Sequence, residues 1–290
     1  MTQKSLTYSL ASQLPTSLKK GPEMSFQYLV YDIESIVDKS LLNRVQFAGE
    51  NLSDDDAYKK HVAEISKDGK STFVNAAYHI PVCLAALALD KNFELCKIGL
   101  LGEGARTPGA IVRHFWDTYN KMIDKEPAFT LVDFNGRGYD VRLMELWAFR
   151  QGIQIHYKHF DKFGIRYRFS DDKELDLHEA ITNNLAIKYQ GGLNLFAKLL
   201  GKPGKMETKG DMVQDLHDKG QIYQIEDYCL GDALDTYFVF LRWMVVKGRL
   251  NLEREQDIIA KAVTEMKRYS EETGYLKEYI ARMKPWEAVA

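Results

Sequence analysis

Long apolar runs in the first half of the chain predict a sheet with mixed strand directions. Phe26–Ile33 is dense in aromatic and β-branched residues, which predicts a central strand buried on both faces. Ile80–Leu89 and Phe93–Leu101 flank the polar triplet Asp90–Asn92, which predicts a β-hairpin. A second buried strand is predicted at Phe129–Phe134.

Helical patterns follow and dominate the second half. Pro108 opens a helix whose apolar stripe comprises Ile111, Val112, Phe115, Trp116 and Tyr119. Further predictions are a helix over Tyr139–Arg150, a strand over Ile153–Tyr157, and a strand running into a short helix over Tyr167–Leu177. Beyond Gly191 the pattern is helical nearly to the end.

The stretch 222–244 has a stripe of apolar residues at helical spacing: Ile222, Ile225, Cys229, Ala233, Tyr237 and Phe240. Tyr228 and Asp232 lie beside that stripe. Residues four apart share a helix face, so their side chains are expected to point together from the edge of the buried surface. A later stripe at Ile258, Ile259, Ala262 and Met266 predicts a helix that faces the core, or alternatively a dimer interface.

These elements predict one α/β domain over residues 25–290, with a mixed central sheet flanked by helices. Residues 1–24 are polar and predict a flexible or loosely packed extension. A polar insertion near 36–75 contains Asp54–Asp56, interpreted as solvated, and one short helix. Extra helices are expected from about residue 251. With 45% hydrophobic and 28% charged residues, the composition is that of an ordinary globular protein.

Net charge and cysteine usage limit the possible binding sites and cellular compartments, but they do not select a function. The formal net charge of -2 means that contact with a polyanion needs local basic clusters or metal ions. Cys83, Cys96 and Cys229 lack CxxC spacing, which argues against a disulfide framework or a zinc site. Without a long apolar span or signal-peptide pattern, a cytoplasmic protein with no membrane contact is expected.

Carboxylates stand at three separate places where elements end or begin. Asp32 and Glu34 are two apart, so they leave one face of the strand, with Asp32 expected near its end and Glu34 just past it. Carboxylate oxygens suit hard ions such as Mg²⁺ and Mn²⁺. Taken alone, Asp-x-Glu is more typical of a strand that closes at solvent, and Asn135–Asp140 is more typical of a turn that starts a helix.

The order of these segments is specific. Asp-x-Glu at 32–34, Asn-x-x-x-Tyr-Asp at 135–140 and Tyr-x-x-x-Asp at 228–232 resemble the proofreading exonuclease domain of family B DNA polymerases. More closely, the chain resembles stand-alone predicted 3′-to-5′ exonucleases related to that domain. The likeness covers about Phe26 to Leu250.

The resemblance implies an RNase H-like fold and two divalent ions, Mg²⁺ or Mn²⁺. The matching metal ligands are Asp32, Glu34, Asp140 and Asp232. Tyr228 matches the tyrosine of the DEDDy branch, which orients the attacking water; the sister branch has His where this chain has Asp227. Asn135 resembles a substrate-contacting residue, and Tyr139 is expected near the terminal nucleotide.

The implied activity is removal of nucleoside monophosphates from 3′ ends of single-stranded DNA or frayed ends. A 3′-to-5′ exoribonuclease and a non-catalytic nucleic-acid-binding module are the alternatives. Arg137 is interpreted either as a phosphate contact or as a surface arginine.

Other polar residues receive weaker interpretations. Asp235 is expected to be solvated or to have a capping role. The basic loop 201–205 either contacts a nucleic-acid backbone or only connects two helices. For His156 and His159, surface or packing roles are favoured over zinc binding.

Overall fold

The architecture is an α/β fold built on a five-stranded sheet. The computed structural model describes residues 26–67, 73–102, 106–206, 210–270 and 274–287. The strands lie in the order β3-β2-β1-β4-β5. They are β1 (Tyr28–Val37), β2 (His79–Leu89), β3 (Leu95–Leu100), β4 (Thr130–Asp133) and β5 (Glu174–Asp176).

The sheet is mixed, as the sequence predicts. β1 pairs antiparallel with β2, which continues into β3 through a hairpin turn. The Asp90 carboxylate closes that turn by accepting the backbone N–H groups of Asn92 and Glu94. β1 pairs parallel with β4, and β4 parallel with β5. The predicted fold class, a mixed sheet flanked by helices and consistent with an RNase H-like fold, is confirmed.

Ten α-helices are found among the described residues. They are α1 (Lys39–Gln46), α2 (Asp54–Ser66), α3 (Pro108–Lys125), α4 (Asp140–Gln151), α5 (Leu177–Ile181), α6 (Gly192–Leu199), α7 (Val213–Asp218), α8 (Ile222–Val246), α9 (Leu252–Tyr269) and α10 (Gly274–Arg282). Single 3₁₀ turns occupy Ala76–Tyr78, Tyr157–His159 and Gly210–Met212. No helix in the described ranges is long and apolar enough to cross a membrane.

The central strand β1 supplies alternate residues to two hydrophobic cores. Leu29 and Tyr31 enter a core with α3 and α4, whereas Val30 enters a core with α8, α9 and α10. Because side chains alternate along a strand, Asp32 and Glu34 share the face of Val30. This periodicity presents both carboxylates to α8.

The strand is longer than expected. It continues to Val37, past a β-bulge between Glu34 and Ser35, so the predicted end at Ile33 was wrong. Pairing with β2 extends as far as Val37, whose backbone N–H also donates to the Gln214 side chain at 2.9 Å. Both carboxylates therefore project from within a paired strand. Pairing restrains their backbone more firmly than a position at the end of the strand would.

The helical stripes behave as predicted. All five stripe residues of α3 are buried, and in α8 the stripe is fully buried from Ile225 to Phe240. In α9, Ile258, Ala262 and Met266 are buried in the core with α8, which favours packing over a dimer interface.

Three regions differ from the expected layout. Ile153–Tyr157 forms no strand, because its apolar residues pack on the α3–α4 core without a strand partner. β5 is only three residues long, although a helix follows it as predicted. The insertion contains two helices, α1 and α2, around a small core of their own. The predicted extension 1–24 lies outside the described residues.

Candidate metal centre and its cleft

Three carboxylates from β1 and α8 converge. Asp32, Glu34 and Asp232 each offer an oxygen atom, and these atoms all lie within 4.8 Å of one another. The register of α8 against β1 is set one turn before Asp232 by Cys229. Its thiol donates to the Asp32 carbonyl at 3.3 Å and accepts the Ala85 N–H at 3.3 Å.

Asp140 lies beside this set without joining it. It is the first residue of α4, and its buried carboxylate accepts a hydrogen bond from the backbone of Ile33, between the two carboxylates of β1. Its negative charge raises the pKa of both Asp32 and Glu34. Burial raises the pKa of Asp140 itself to about 7.

Negative charge is concentrated in this largely buried cluster. Burial, followed by neighbouring negative charges, raises the pKa of Asp32 and Glu34 well above the usual range, and burial raises that of Asp232 to about 6. Asp32 Oδ2 is buried and has no hydrogen-bond partner in the structure. Oxygen donors with surplus negative charge and an unused lone pair fit a hard divalent ion.

Tyr228 belongs to the same cluster. Its side chain is largely buried, and its hydroxyl donates a hydrogen bond to the Asp232 carboxylate. Burial is the main reason that its pKa is raised far above 10, with the charges of Asp232 and Glu34 adding to it. The phenol is therefore neutral at physiological pH, with its proton donated to Asp232 and its oxygen available as a hydrogen-bond acceptor.

The turn that leads into Asp140 is stabilised by two acidic residues. The Gly136 N–H donates to Asp133 at 2.8 Å, and a Cβ on Gly136 would lie 2.3 Å from that carboxyl carbon, so only glycine fits. The Asn135 N–H donates to Asp176 at 2.9 Å, while its backbone takes the left-handed conformation with φ of 72°. This turn leaves the Asn135 side chain exposed at the cleft.

Tyr139 is held at the opposite side of the turn by two polar partners. Its hydroxyl lies 2.5 Å from Ser35 Oγ and 2.7 Å from His79 Nδ1. The exposed ring of Phe73 packs edge-on against it, with ring centroids 5.6 Å apart. Neither Ser35, His79 nor Phe73 was singled out from the sequence, since isolated polar and aromatic residues carry no spacing signal.

Arg137 points away from the acidic cluster. Its guanidinium lies 3.4 Å from carboxylate oxygens of both Glu174 and Glu179, and it donates to the carbonyls of Tyr167 and Glu174. Only 8% of its side chain is exposed. The structure does not bring Arg137 to the cleft with the other candidate residues.

An open cleft of about 790 Å³ connects these groups. The candidate residues that line it are Asp32, Glu34, Asn135, Tyr139, Asp140 and Tyr228. Lys205 lines it as well, with its ammonium 5.8 Å from the centroid of the Tyr228 ring. Its positive charge lowers the pKa of Glu34 and Asp232, so it faces the acidic cluster.

The basic loop 201–205 thus contains two lysines in different roles. Lys202 is buried, with its ammonium 4.9 Å from the centroid of the Phe238 ring, whereas Lys205 is exposed at the cleft. The sequence identified the loop as basic but could not assign which lysine faces the site.

Asp235 anchors this loop, and its expected solvation was wrong. It is 1% exposed because α8 is buried on nearly all sides at this level. Its carboxylate accepts a 2.6 Å hydrogen bond from the Tyr279 hydroxyl of α10 and another from the Gly204 backbone. Gly201 adds a second link, since its carbonyl accepts the Lys284 N–H at 2.8 Å.

The two histidines near residue 160 pack against α3 and α4 instead of forming a metal site. His159 is fully buried, lies 2.6 Å from a Glu145 carboxylate oxygen and contacts the Trp116 ring edge-on. His156 lies 3.1 Å from Asp124. The packing interpretation accounts for both.

Comparison with known proteins gives one finding. A family model described as "predicted 3′-5′ exonuclease related to the exonuclease domain of PolB" matches residues 71–283, which is more than half of the chain. Asp140, Tyr228 and Asp232 lie inside the matched range, whereas Asp32 and Glu34 precede it. No curated protein matches the chain.

Proposed function

Because the chain belongs to the family of predicted 3′-5′ exonucleases related to the exonuclease domain of PolB, we propose that it removes nucleotides from the 3′ ends of single-stranded DNA. Each cycle adds water across the terminal phosphodiester bond. The phosphate leaves on the released nucleoside 5′-monophosphate, and the shortened strand keeps a 3′-hydroxyl. The family supports a nuclease with a nucleic-acid substrate; the polymer and the roles of individual residues are proposed here.

The observation that carries the proposal is the convergence of Asp32, Glu34 and Asp232 within 4.8 Å, beside Asp140. These four carboxylates are the proposed ligands for two divalent ions, Mg²⁺ or Mn²⁺. When bound, such ions stabilise charge on the attacking and leaving oxygens of phosphodiester hydrolysis. The unpaired Oδ2 of Asp32 supports its role as a ligand.

Tyr228 is proposed to position water by hydrogen bonding. Because its pKa is raised far above 10, its hydroxyl keeps its proton and donates it to Asp232, so it orients water as a hydrogen-bond acceptor and does not act as a base. The hydrogen bond to Asp232 holds the phenol at the edge of the cluster. This agrees with the tyrosine branch of the family, in which no histidine base is used.

Cleft residues outside the acidic cluster are proposed to bind the terminal nucleotide. Asn135 is exposed at the cleft wall with its Oδ1 3.3 Å from His178 Nδ1, and Tyr139 offers an aromatic ring held by Ser35 and His79. Among the described residues, Lys205 lines the cleft and its charge acts on the cluster, so it is proposed to contact the scissile phosphate. Arg137 is left out because its guanidinium is engaged elsewhere.

The test removes single charges from the cluster. Asp32→Asn and Asp140→Asn should each abolish Mg²⁺- or Mn²⁺-dependent shortening of a 3′-end-accessible oligonucleotide. Asp227→Asn is the matched control, since Asp227 is a half-buried acid of the same helix whose pKa is raised to about 6 but which lies outside the cluster. Undiminished activity of either cluster variant would refute the assignment.

Parallel assays on DNA and RNA oligonucleotides of one sequence decide between the two polymers, because only RNA carries the 2′-hydroxyl. A non-catalytic binding module would instead bind oligonucleotide in chelator and show no calorimetric signal for divalent ions.

A further inference from the structure

The loop between α4 and β5 leaves a row of aromatic rings in solvent. Phe163 is 65% exposed, Phe169 74% and Tyr167 37%. Their rings contact edge-on in sequence, with centroids 5.6 Å apart for Phe163 and Tyr167 and 6.3 Å apart for Tyr167 and Phe169. Single exposed apolar residues are common on proteins, but contiguous ones mark interaction surfaces. These three residues are called the aromatic row.

The row is presented by a loop that is itself firmly packed. His159 and Ile165 of the same loop are buried in the α3–α4 core region. Gly164 packs so closely on the carbonyls of Lys158 and His159 that a Cβ there would lie 2.3 and 2.5 Å from their oxygens. The loop therefore turns some side chains inward while its largest rings stay outside.

Positive charge is interleaved with these rings. Residues 157–170 contain four Lys or Arg and one Asp, although the whole chain has a net charge of -2. The Lys162 ammonium lies 5.3 Å from the centroid of the Phe163 ring, and the Arg166 guanidinium 4.9 Å from that of Phe160. Arg166 is half exposed, but two hydrogen bonds hold its guanidinium to the largely buried Glu145 carboxylate, so Lys162, which is exposed, is the cation of this loop offered to phosphate.

The row adjoins the cleft through Arg137. This residue lies in the turn between Asn135 and Asp140, and its guanidinium donates to the Tyr167 carbonyl at 3.2 Å. The Arg137 side chain therefore links the backbone of the aromatic row to the turn that forms one wall of the cleft. A strand that leaves the cleft on this side would meet the exposed rings next.

We propose that the loop 157–170 is a second binding surface for the same nucleic acid, contacting single-stranded nucleotides upstream of the 3′ end. The rings of the aromatic row stack on bases, and the Lys162 ammonium contacts a phosphate, which is how sequence-tolerant single-strand binding works. An apolar protein partner is less well matched, because cations alternate with the rings. The role rests on the proposed function, since the strand bound here is the one that the acidic centre trims.

Binding in chelator tests the surface without catalysis. The double variant Phe163→Ala/Phe169→Ala should bind a fluorescent single-stranded oligonucleotide of roughly 20 nucleotides about tenfold or more weakly by anisotropy, since two stacking rings are lost. Tyr223→Ala is the matched control, because Tyr223 is 44% exposed with the Arg106 guanidinium 4.9 Å from its ring centroid. Unchanged affinity of the double variant would overturn the proposal.

The cations are tested through salt dependence. Lys162→Ala should lower the slope of log affinity against log salt by about 0.7, the value for one phosphate contact on a single strand. The double aromatic variant should leave that slope unchanged, because stacking releases no counterions. An unchanged slope in Lys162→Ala would show that this lysine contacts no phosphate, against the proposal.

A small substrate separates this surface from the acidic centre. The p-nitrophenyl ester of thymidine 5′-monophosphate reaches only the cleft, so its hydrolysis by the double variant should equal that of the wild-type protein. If the wild-type protein hydrolyses neither this ester nor the oligonucleotide, the proposed function fails while the binding result stands. If only the double variant loses ester hydrolysis, the row acts on the acidic centre and the proposed separate surface is wrong.

Discussion

The hydroxyl of Tyr228 donates a hydrogen bond to the carboxylate of Asp232, one helical turn further along α8. The bond lowers the pKa of Asp232, opposing the effect of burial. It also fixes a neutral hydroxyl, whose oxygen accepts hydrogen bonds, at the edge of a carboxylate cluster. The chemistry proposed for this protein depends on that pairing, since it aims the phenol where water would approach the terminal phosphate.

Tyr228→Phe removes the hydroxyl and keeps the ring. We expect kcat on a 3′-end substrate to fall about 10- to 100-fold, because a positioned hydroxyl is lost while all carboxylates remain. Mn²⁺ affinity by calorimetry should change little. Tyr237→Phe is a matched control, since Tyr237 is buried in the same helix and its hydroxyl donates to the Phe93 carbonyl. A loss of metal affinity larger than the loss of rate would contradict the assignment.

Divalent ions should stabilise the fold in a pH-dependent manner. The pKa of Asp140 is raised to about 7 and that of Asp232 to about 6, against an ordinary value of 3.8. The folded protein therefore keeps protons that the unfolded chain releases near pH 4, so in chelator stability falls as pH rises from about 4 to about 7.

Bound Mn²⁺ offsets this loss only where the carboxylates are ionised. We expect Mn²⁺ to raise the thermal unfolding midpoint strongly at pH 8 and little at pH 5, measured by scanning calorimetry. Asp32→Asn should melt higher than wild type in chelator and gain less from Mn²⁺. Equal Mn²⁺ effects at both pH values would argue against metal binding at these carboxylates.

Lys205→Ala should change metal affinity and activity in opposite directions. Loss of the positive charge raises the pKa of Glu34 and Asp232 but also removes repulsion of a cation, so Mn²⁺ should bind more tightly at pH 8. The KM for an oligonucleotide should rise, because a phosphate contact is lost. Lys91→Ala, at the exposed β2–β3 turn, is the control. Weaker Mn²⁺ binding together with unchanged KM would contradict the proposed position of Lys205.

Tyr279→Phe leaves the buried Asp235 carboxylate without its 2.6 Å partner. A buried group left unsatisfied costs about 1–3 kcal/mol, so the free energy of unfolding from urea titration should fall by that amount. Tyr189→Phe should change it little, because that hydroxyl belongs to a side chain that is 45% exposed. Equal unfolding free energies for wild type and Tyr279→Phe would show that the bond contributes nothing to stability.

Much of the fold follows from local pattern. The central strand, the β2–β3 hairpin, α3 and α8 were predicted because each buries a continuous run or a regular stripe of apolar residues. Ile153–Tyr157 shows the limit of that reasoning. Its apolar residues satisfy a strand pattern, but strand formation requires a neighbouring strand to pair with, and the chain places none there.

The type and order of the acidic residues, and the face of the strand or helix on which each lies, follow from the amino-acid sequence. Strand periodicity put Asp32 and Glu34 on one face, and helix periodicity put Tyr228 beside Asp232. The packing of the elements brings carboxylates two hundred positions apart within 4.8 Å, and it turns Lys205 toward them and Arg137 away. Periodicity specifies the direction of a side chain along its own element, whereas distances between elements depend on packing between distant parts of the chain.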